Sequence, residues 1–131
     1  LNRWVEDGLL DVIKEKGMGT IAFSPLAQGL LTNKYFNGIP ENSRAGGESI
    51  FLTDKNITPE ILDKTHKLNE IAQERGQTLA QMALAWVLKN NVMTSVIMGA
   101  SRLEQIEENA GIINNLDFSK NELEAIENIL K

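Results

Sequence analysis

The chain has 131 residues, 42% hydrophobic and 24% charged, the size and mix of one globular domain, which excludes a disordered or fibrous polymer. A formal net charge of -5 argues against a broad nucleic-acid-binding face, and the lack of cysteine excludes disulfide frameworks and thiolate metal sites, so an ordinary reducing cytoplasm is the expected setting. No apolar run reaches the ~20 residues of a membrane helix and no secretory leader opens the chain, so neither a membrane nor a nucleic acid is expected as a partner.

The first residue is Leu1, not Met, which reads as a piece of something longer. From Val5 to Lys16 the apolar positions Val5, Leu9, Leu10 and Ile13 predict one helix, closed by Gly17. Thr20 to Phe23 is short and apolar, stopped by Ser24-Pro25, and reads as a strand buried on both faces of a parallel sheet. Leu30 to Asn56, with Gly38, Pro40, Gly46 and Gly47, predicts a long connection of the kind used for lids and binding loops.

Thr58-Pro59-Glu60 marks a helix start, and the apolar stripe Ile61, Leu62, Leu68, Ile71 and Ala72 carries it to Arg75-Gly76. Thr78 and Gln81 then form a capping box ahead of Leu79, Met82, Ala83, Trp86 and Val87, with an end expected at 89–91. A second buried strand follows at Ser95 to Met98, then Gly99-Ala100. A capping box of Ser101 and Glu104 is expected to open a helix buried along Leu103, Ile106, Ala110 and Ile113. Ser119 and Glu122 open the last helix, striped by Leu123, Ile126, Ile129 and Leu130.

Strands separated by long helical crossovers predict an α/β fold with a parallel sheet. Two strands buried on both faces leave two open edges, so the chain is expected to supply about a quarter of a barrel's strands. Both strands run straight into small-residue turns, and the second turn opens a helix. Exposed backbone N–H groups at strand C-termini suit nucleotide phosphates.

The segments Phe23 to Thr32 (FSPLAQGLLT) and Met98 to Arg102 (MGASR), with Gln105, Glu108 and Asn109, resemble the aldo-keto reductases over essentially the whole chain. The similarity is greatest to the branch of bacterial L-glyceraldehyde phosphate reductases and potassium-channel β subunits, through the Gly29-to-Tyr35 segment and the Gln77-to-Trp86 helix. This resemblance implies a (β/α)8 TIM barrel, with this chain as its C-terminal portion: strands seven and eight, their helices and the closing helix. It implies reduction of aldehydes or ketones by NADP(H), without metal. The family's catalytic Asp, Tyr, Lys and His would all lie in the N-terminal half, so no catalytic residue is assigned here.

Carried over residue by residue, the resemblance puts Ser24, Pro25, Leu26 and Gly29 along the cofactor's pyrophosphate, where Gly29 permits close backbone approach and the Ser24 hydroxyl can donate. It makes Lys34 and Arg44 clamps on the cofactor phosphates. Gly99 is a further cofactor-binding position, Ser101 and Arg102 would meet the adenosine 2′-phosphate, and Gln105, Glu108 and Asn109 the adenine end. Arg102 is informative physically, because a cation in a helix's first turn opposes the helix dipole unless an anion lies nearby. His66 and Trp86 read as structural, and Glu104, Glu107 and Glu108 as a solvated helix face rather than an acid/base pair. The resemblance further implies a small-molecule carbonyl substrate in the intact protein, or else a nucleotide-sensing interaction module similar to the channel β subunits. Exposed strand faces lead us to expect homo-oligomers of the isolated chain.

Overall fold

The computed structural model describes residues 1–47, 49–89 and 91–131; Glu48 in the long connection and Asn90 in the expected 89–91 helix end lie outside the described residues. Helix α1 (Leu9–Glu15) leads to strand β1 (Ile21–Phe23), then the long connection, helices α2 (Pro59–Glu74) and α3 (Leu79–Leu88), strand β2 (Ser95–Ile97), and helices α4 (Leu103–Ala110) and α5 (Lys120–Leu130). The helix expected from Val5 is broken at Gly8, whose φ of +83° is non-helical; a short 3-10 turn, Trp4–Glu6, precedes the break. Gly17 closes α1 as its spacing predicts, with φ +61° and the Met18 N–H returned to Ile13 O.

The cap signals around α2, α3 and α5 hold. Thr58 accepts from the Ile61 N–H, and reciprocal capping boxes join Thr78 with Gln81 and Ser119 with Glu122. Such caps stabilise a helix by about 1 kcal/mol each. The main core lies where these helices meet, around Leu68, Ala72, Leu79, Met82 and Ile126. Its edge is locked by Arg75, which donates to Glu122 Oε1 at 2.7 Å, Gln77 Oε1 at 2.9 Å and Asp117 O at 3.0 Å, its guanidinium carbon 3.8 Å from the centre of the Phe118 ring.

The two strands pair in parallel with Ile21, Ala22 and Phe23 opposite Ser95, Val96 and Ile97. Their expected burial on both faces is corrected: Ile21, Phe23 and Ile97 are 62%, 80% and 60% exposed, while Ala22 and Val96 are half-buried. Alternation puts the exposed three on one face, and a two-stranded sheet has helices packed on the other face alone.

Helix α4 is also seated differently from its apolar pattern. Leu103, Ile106 and Ile113 face solvent, whereas Asn109 and Ile112 are buried and Gln105 is half-buried. Gln81 of α3 fixes this orientation by donating from Nε2 to Glu108 O at 2.6 Å, beside Gly111, where a Cβ would lie 3.2 Å from that nitrogen.

The long connection is not featureless. Tyr35, Ala45 and Leu52 form a second small core with Leu30, Ile57 and Leu62 packed against it, and 3-10 turns form at Asn33–Tyr35 and Asp54–Asn56. Phe36 from this loop stacks on His66 of α2 with ring centroids 4.0 Å apart, consistent with a structural role for that histidine.

Candidate functional site

The parallel register brings the two turn motifs side by side. Because Phe23 pairs with Ile97, Ser24 and the Met98-Gly99 segment leave the sheet at the same edge, at the C-terminal ends of both strands. That is the end at which open α/β sheets hold ligands.

The first turn is strained. Ser24, Ala27 and Gln28 have φ of +50°, +47° and +61°, the left-handed region that side chains disfavour, and Gly29 follows at +103°. These three are the positive-φ non-glycine residues among the described residues, and all lie in this one turn. The conformation is held by local bonds: the Ala27 N–H donates to Ser24 O at 3.0 Å, the Gly29 N–H to Leu26 O at 2.9 Å, and the Leu31 N–H to Leu26 O at 3.2 Å. Thr32 Oγ1 donates to Gly29 O at 2.7 Å and accepts from the Lys34 N–H, linking the turn to the next 3-10 helix. Pro25, Leu26 and Gly29 are half-buried, and Ser24 is exposed.

Lys34 is exposed and directly precedes the buried Tyr35. Arg44 is exposed between the buried Ser43 and Ala45 on a tightly folded loop, where Ser43 Oγ accepts from the Gly46 N–H. A Cβ on Gly46 would fall 2.3 Å from Pro40 O, so this loop closes only around glycine. Tyr35, Ala45 and Gly29 are in turn packed together, which ties Lys34 and Arg44 to the Ser24–Gly29 turn.

On the second strand's side, Gly99 is exposed with open space around its Cα. The expected Ser101–Glu104 capping box does not form. Arg102 is the N-cap, with extended φ and ψ of -144° and 151°, and Gln105 Oε1 instead accepts from the Ser101 N–H at 2.8 Å and the Ser101 hydroxyl at 3.3 Å. Glutamine three residues beyond Arg102 outreaches Glu104 because the helix starts one residue later than the serine signals. Ser101 and Arg102 are exposed. Of the residues expected along one side of α4, Glu108 faces solvent, whereas Gln105 and Asn109 turn toward the protein.

Lys34, Arg44 and Arg102 form no ion pair among the described residues, in contrast to Arg3, Lys64, Lys67 and Arg75, which all do. Lys14, Lys55, Lys89 and Lys131 likewise form no ion pair among the described residues, so what sets Lys34, Arg44 and Arg102 apart is their place in or beside the two turn motifs. No cluster of metal-ligating side chains occurs among the described residues. A separate groove of about 410 Å³, lined by Arg3, Leu10, Trp86 and Lys89 among others, shares no residue with this site. There Arg3 is already held by Glu6 and Glu127, and Lys89 lies 3.3 Å over the Trp86 ring, burial holding its ammonium below the usual lysine range.

Two residues that lie inside the motifs but are given no role by them also shape this region. Gln28 Nε2 donates to Phe51 O at 3.2 Å and draws the far end of the long connection to the turn. Tyr35 packs beneath Gly29. Neither a glutamine in a left-handed turn nor a tyrosine in an aperiodic loop carries a local signal.

The chain is 56% identical over 131 residues to L-glyceraldehyde 3-phosphate reductase of Escherichia coli O157:H7, covering 97% of the chain and 38% of that protein. It is 41% identical over 115 residues to a potassium-channel beta subunit-like protein of Schizosaccharomyces pombe, covering 86% of the chain and 33% of that protein. Among solved structures, glycerol dehydrogenase of Gluconobacter oxydans superposes with a TM-score of 0.75 at 20% identity, over 98% of this chain and 39% of the other. The chain therefore spans well under half the length of these relatives. The aldo/keto reductase family profile matches residues 1–131, and the chain belongs to that family.

Proposed function

We propose that the chain is the cofactor-binding portion of an NADPH-dependent oxidoreductase that reduces small aldehydes or ketones, with its two strands as strands seven and eight of a TIM barrel. The observation that carries this reading is the shared strand edge, which presents the strained Ser24–Gly29 turn beside Gly99, Ser101 and Arg102.

Ser24, Pro25, Leu26 and Gly29 would line the pyrophosphate, with Lys34 and Arg44 neutralising it from the long connection. Ser101 and Arg102 would take the 2′-phosphate, where a guanidinium can bind two phosphate oxygens at once. Glu108 would meet the adenine end from the open side of α4, with Gln105 and Asn109 supporting that end from the protein side. Once bound, the dihydronicotinamide supplies hydride to a carbonyl carbon; this chain contributes orientation and charge. The proton for the alkoxide and the rest of the catalytic set belong to the N-terminal half of the intact protein, so the isolated chain is inactive in this reading. Glyceraldehyde 3-phosphate and methylglyoxal-like carbonyls are the substrate class, supported by the reductase relative, and the cytoplasm is the setting.

A second reading, a nucleotide-sensing regulatory module, is supported by the channel-subunit relative at 41% identity. It uses the same cofactor residues and is separated by whether the intact protein oxidises NADPH when given an aldehyde.

The test titrates the chain with NADPH and with NADH by tryptophan fluorescence. Saturable binding that prefers NADPH, and loses that preference in Arg102→Ala, is expected. Equal binding of both nucleotides, unchanged in Arg102→Ala, removes the 2′-phosphate assignment, and no binding by a folded chain removes the cofactor reading of this portion alone.

A further inference from the structure

Two buried side-chain hydroxyls have no hydrogen-bond partner among the described residues, Thr20 Oγ1 and Tyr35 OH. Thr20 lies at the opposite end of β1 from the candidate site. Tyr35 does not. It is 2% exposed within the apolar cluster of Ala45 and Leu52, and its hydroxyl is 3.9 Å from the position a Cβ would take on Gly29, with its Cε2 at 3.7 Å. An unsatisfied buried hydroxyl costs about 1–3 kcal/mol, which phenylalanine would avoid while keeping the ring.

The carbonyls of the turn serve its own N–H and hydroxyl donors. Ser24 O accepts from Ala27, Leu26 O from Gly29 and Leu31, Ala27 O from Leu30, and Gly29 O from Thr32. A trans peptide holds its N–H and C=O on opposite sides. An anion that drew the Gly29 N–H away from Leu26 O would rotate that peptide and carry Gln28 O the opposite way, beside the residue that Tyr35 packs against.

We propose that Tyr35 is a positioning residue for the phosphate cradle, its hydroxyl donating to Gln28 O when the Ser24–Gly29 turn binds the pyrophosphate of a dinucleotide. The inference rests on the cofactor reading above. It adds a residue that touches no ligand and couples three phosphate-facing parts: the turn through Gly29, Lys34 as its neighbour in sequence, and Arg44 through Ala45.

Tyr35 is the single tyrosine of the chain, so a sample labelled with 13C at tyrosine Cζ gives one resonance. That resonance should move saturably as NADPH is added. Tyr35→Phe should bind both NADPH and NADH about 3–10-fold more weakly, the value of one neutral hydrogen bond, with folding stability no lower than wild type. Because the pyrophosphate is common to both nucleotides, the loss should be equal for the two, unlike that of Arg102→Ala. Nucleotide binding that leaves the Cζ resonance in place, or Tyr35→Phe binding with wild-type affinity, overturns the role of Tyr35 and leaves the cofactor reading standing. A folded wild-type chain that binds neither nucleotide overturns both.

Discussion

At the Arg75 junction a guanidinium with 3% of its side chain exposed meets Glu122, Gln77, Asn115 and Asp117, and its flat face covers Phe118. At the Ser24–Gly29 turn, three side-chain-bearing residues sit in left-handed backbone, and the buried Tyr35 hydroxyl has no hydrogen-bond partner among the described residues. The first region has its interactions completed from within and holds the helices together. The second holds backbone strain, which persists where the surroundings impose it, and in the proposed function it is the part that a ligand would complete. Stability and recognition are thus carried by different parts of one short chain.

The comparison can be broken at the junction first. Arg75→Ala removes the cation paired with Glu122 and the donors to Gln77 Oε1 and Asp117 O, and is expected to cost about 3 kcal/mol in urea unfolding, the largest effect predicted here. At the other region, Gly46→Ala forces Pro40 O and the new methyl apart, and about 2 kcal/mol is expected from overpacking, concentrated in the loop that presents Arg44. Hydrogen exchange should show the protection lost around Ser43 and Ala45 and retained in α3.

Acid sharpens the contrast more gently. Burial pushes the Glu122 carboxyl up, but its hydrogen bonds with Ser119 and the Arg75 guanidinium outweigh this and hold it below the usual carboxylate range. A depressed folded value contributes stability that is present above the unfolded value near 4.5 and is lost as pH falls through the folded one. Wild type should therefore weaken on acidification below about pH 4.5 more steeply than Glu122→Gln, as followed by thermal melts. The smallest effect is a gain: Ala27→Gly relieves a left-handed alanine, partly offset by a looser unfolded chain, and should stabilise by about 0.5 kcal/mol. A destabilised Ala27→Gly would show that the turn is not strained, and the contrast would lose its second half.

What could be read in the sequence was local. Caps at Thr58, Thr78 and Ser119 declare themselves within four residues, and both strands are bounded by their turns. The motif residues Ser24, Gly29, Ser101 and Arg102 reach one edge because the strands pair in parallel, as the crossovers imply. What could not be read depends on distant partners. The face of a strand is decided by the layer beside it, so Phe23 and Ile97 stand open here. Helix α4 follows the bond from Gln81 rather than its own apolar stripe. Tyr35, Ala45 and Leu52 build a core without any period, and Ser24, Ala27 and Gln28 lack the glycine that would announce left-handed backbone.

The open face of β1 and β2, with Leu103 and Ile113 also exposed, implies that the isolated chain self-associates, and we propose that sedimentation will show species larger than a monomer.

The pairing of Phe23 with Ile97 sets the distance between the two turns, and in the proposed function it would act as a ruler for the ligand. A slip of two residues between β1 and β2 would keep every side chain on its present face, so alternation alone would not resist it. Yet it would carry one turn about 6.6 Å past the other, at roughly 3.3 Å per residue, and a molecule gripped at both ends could no longer reach. The three residue pairs of the ladder, more than the identity of the side chains on it, thus set the spacing between the two turns.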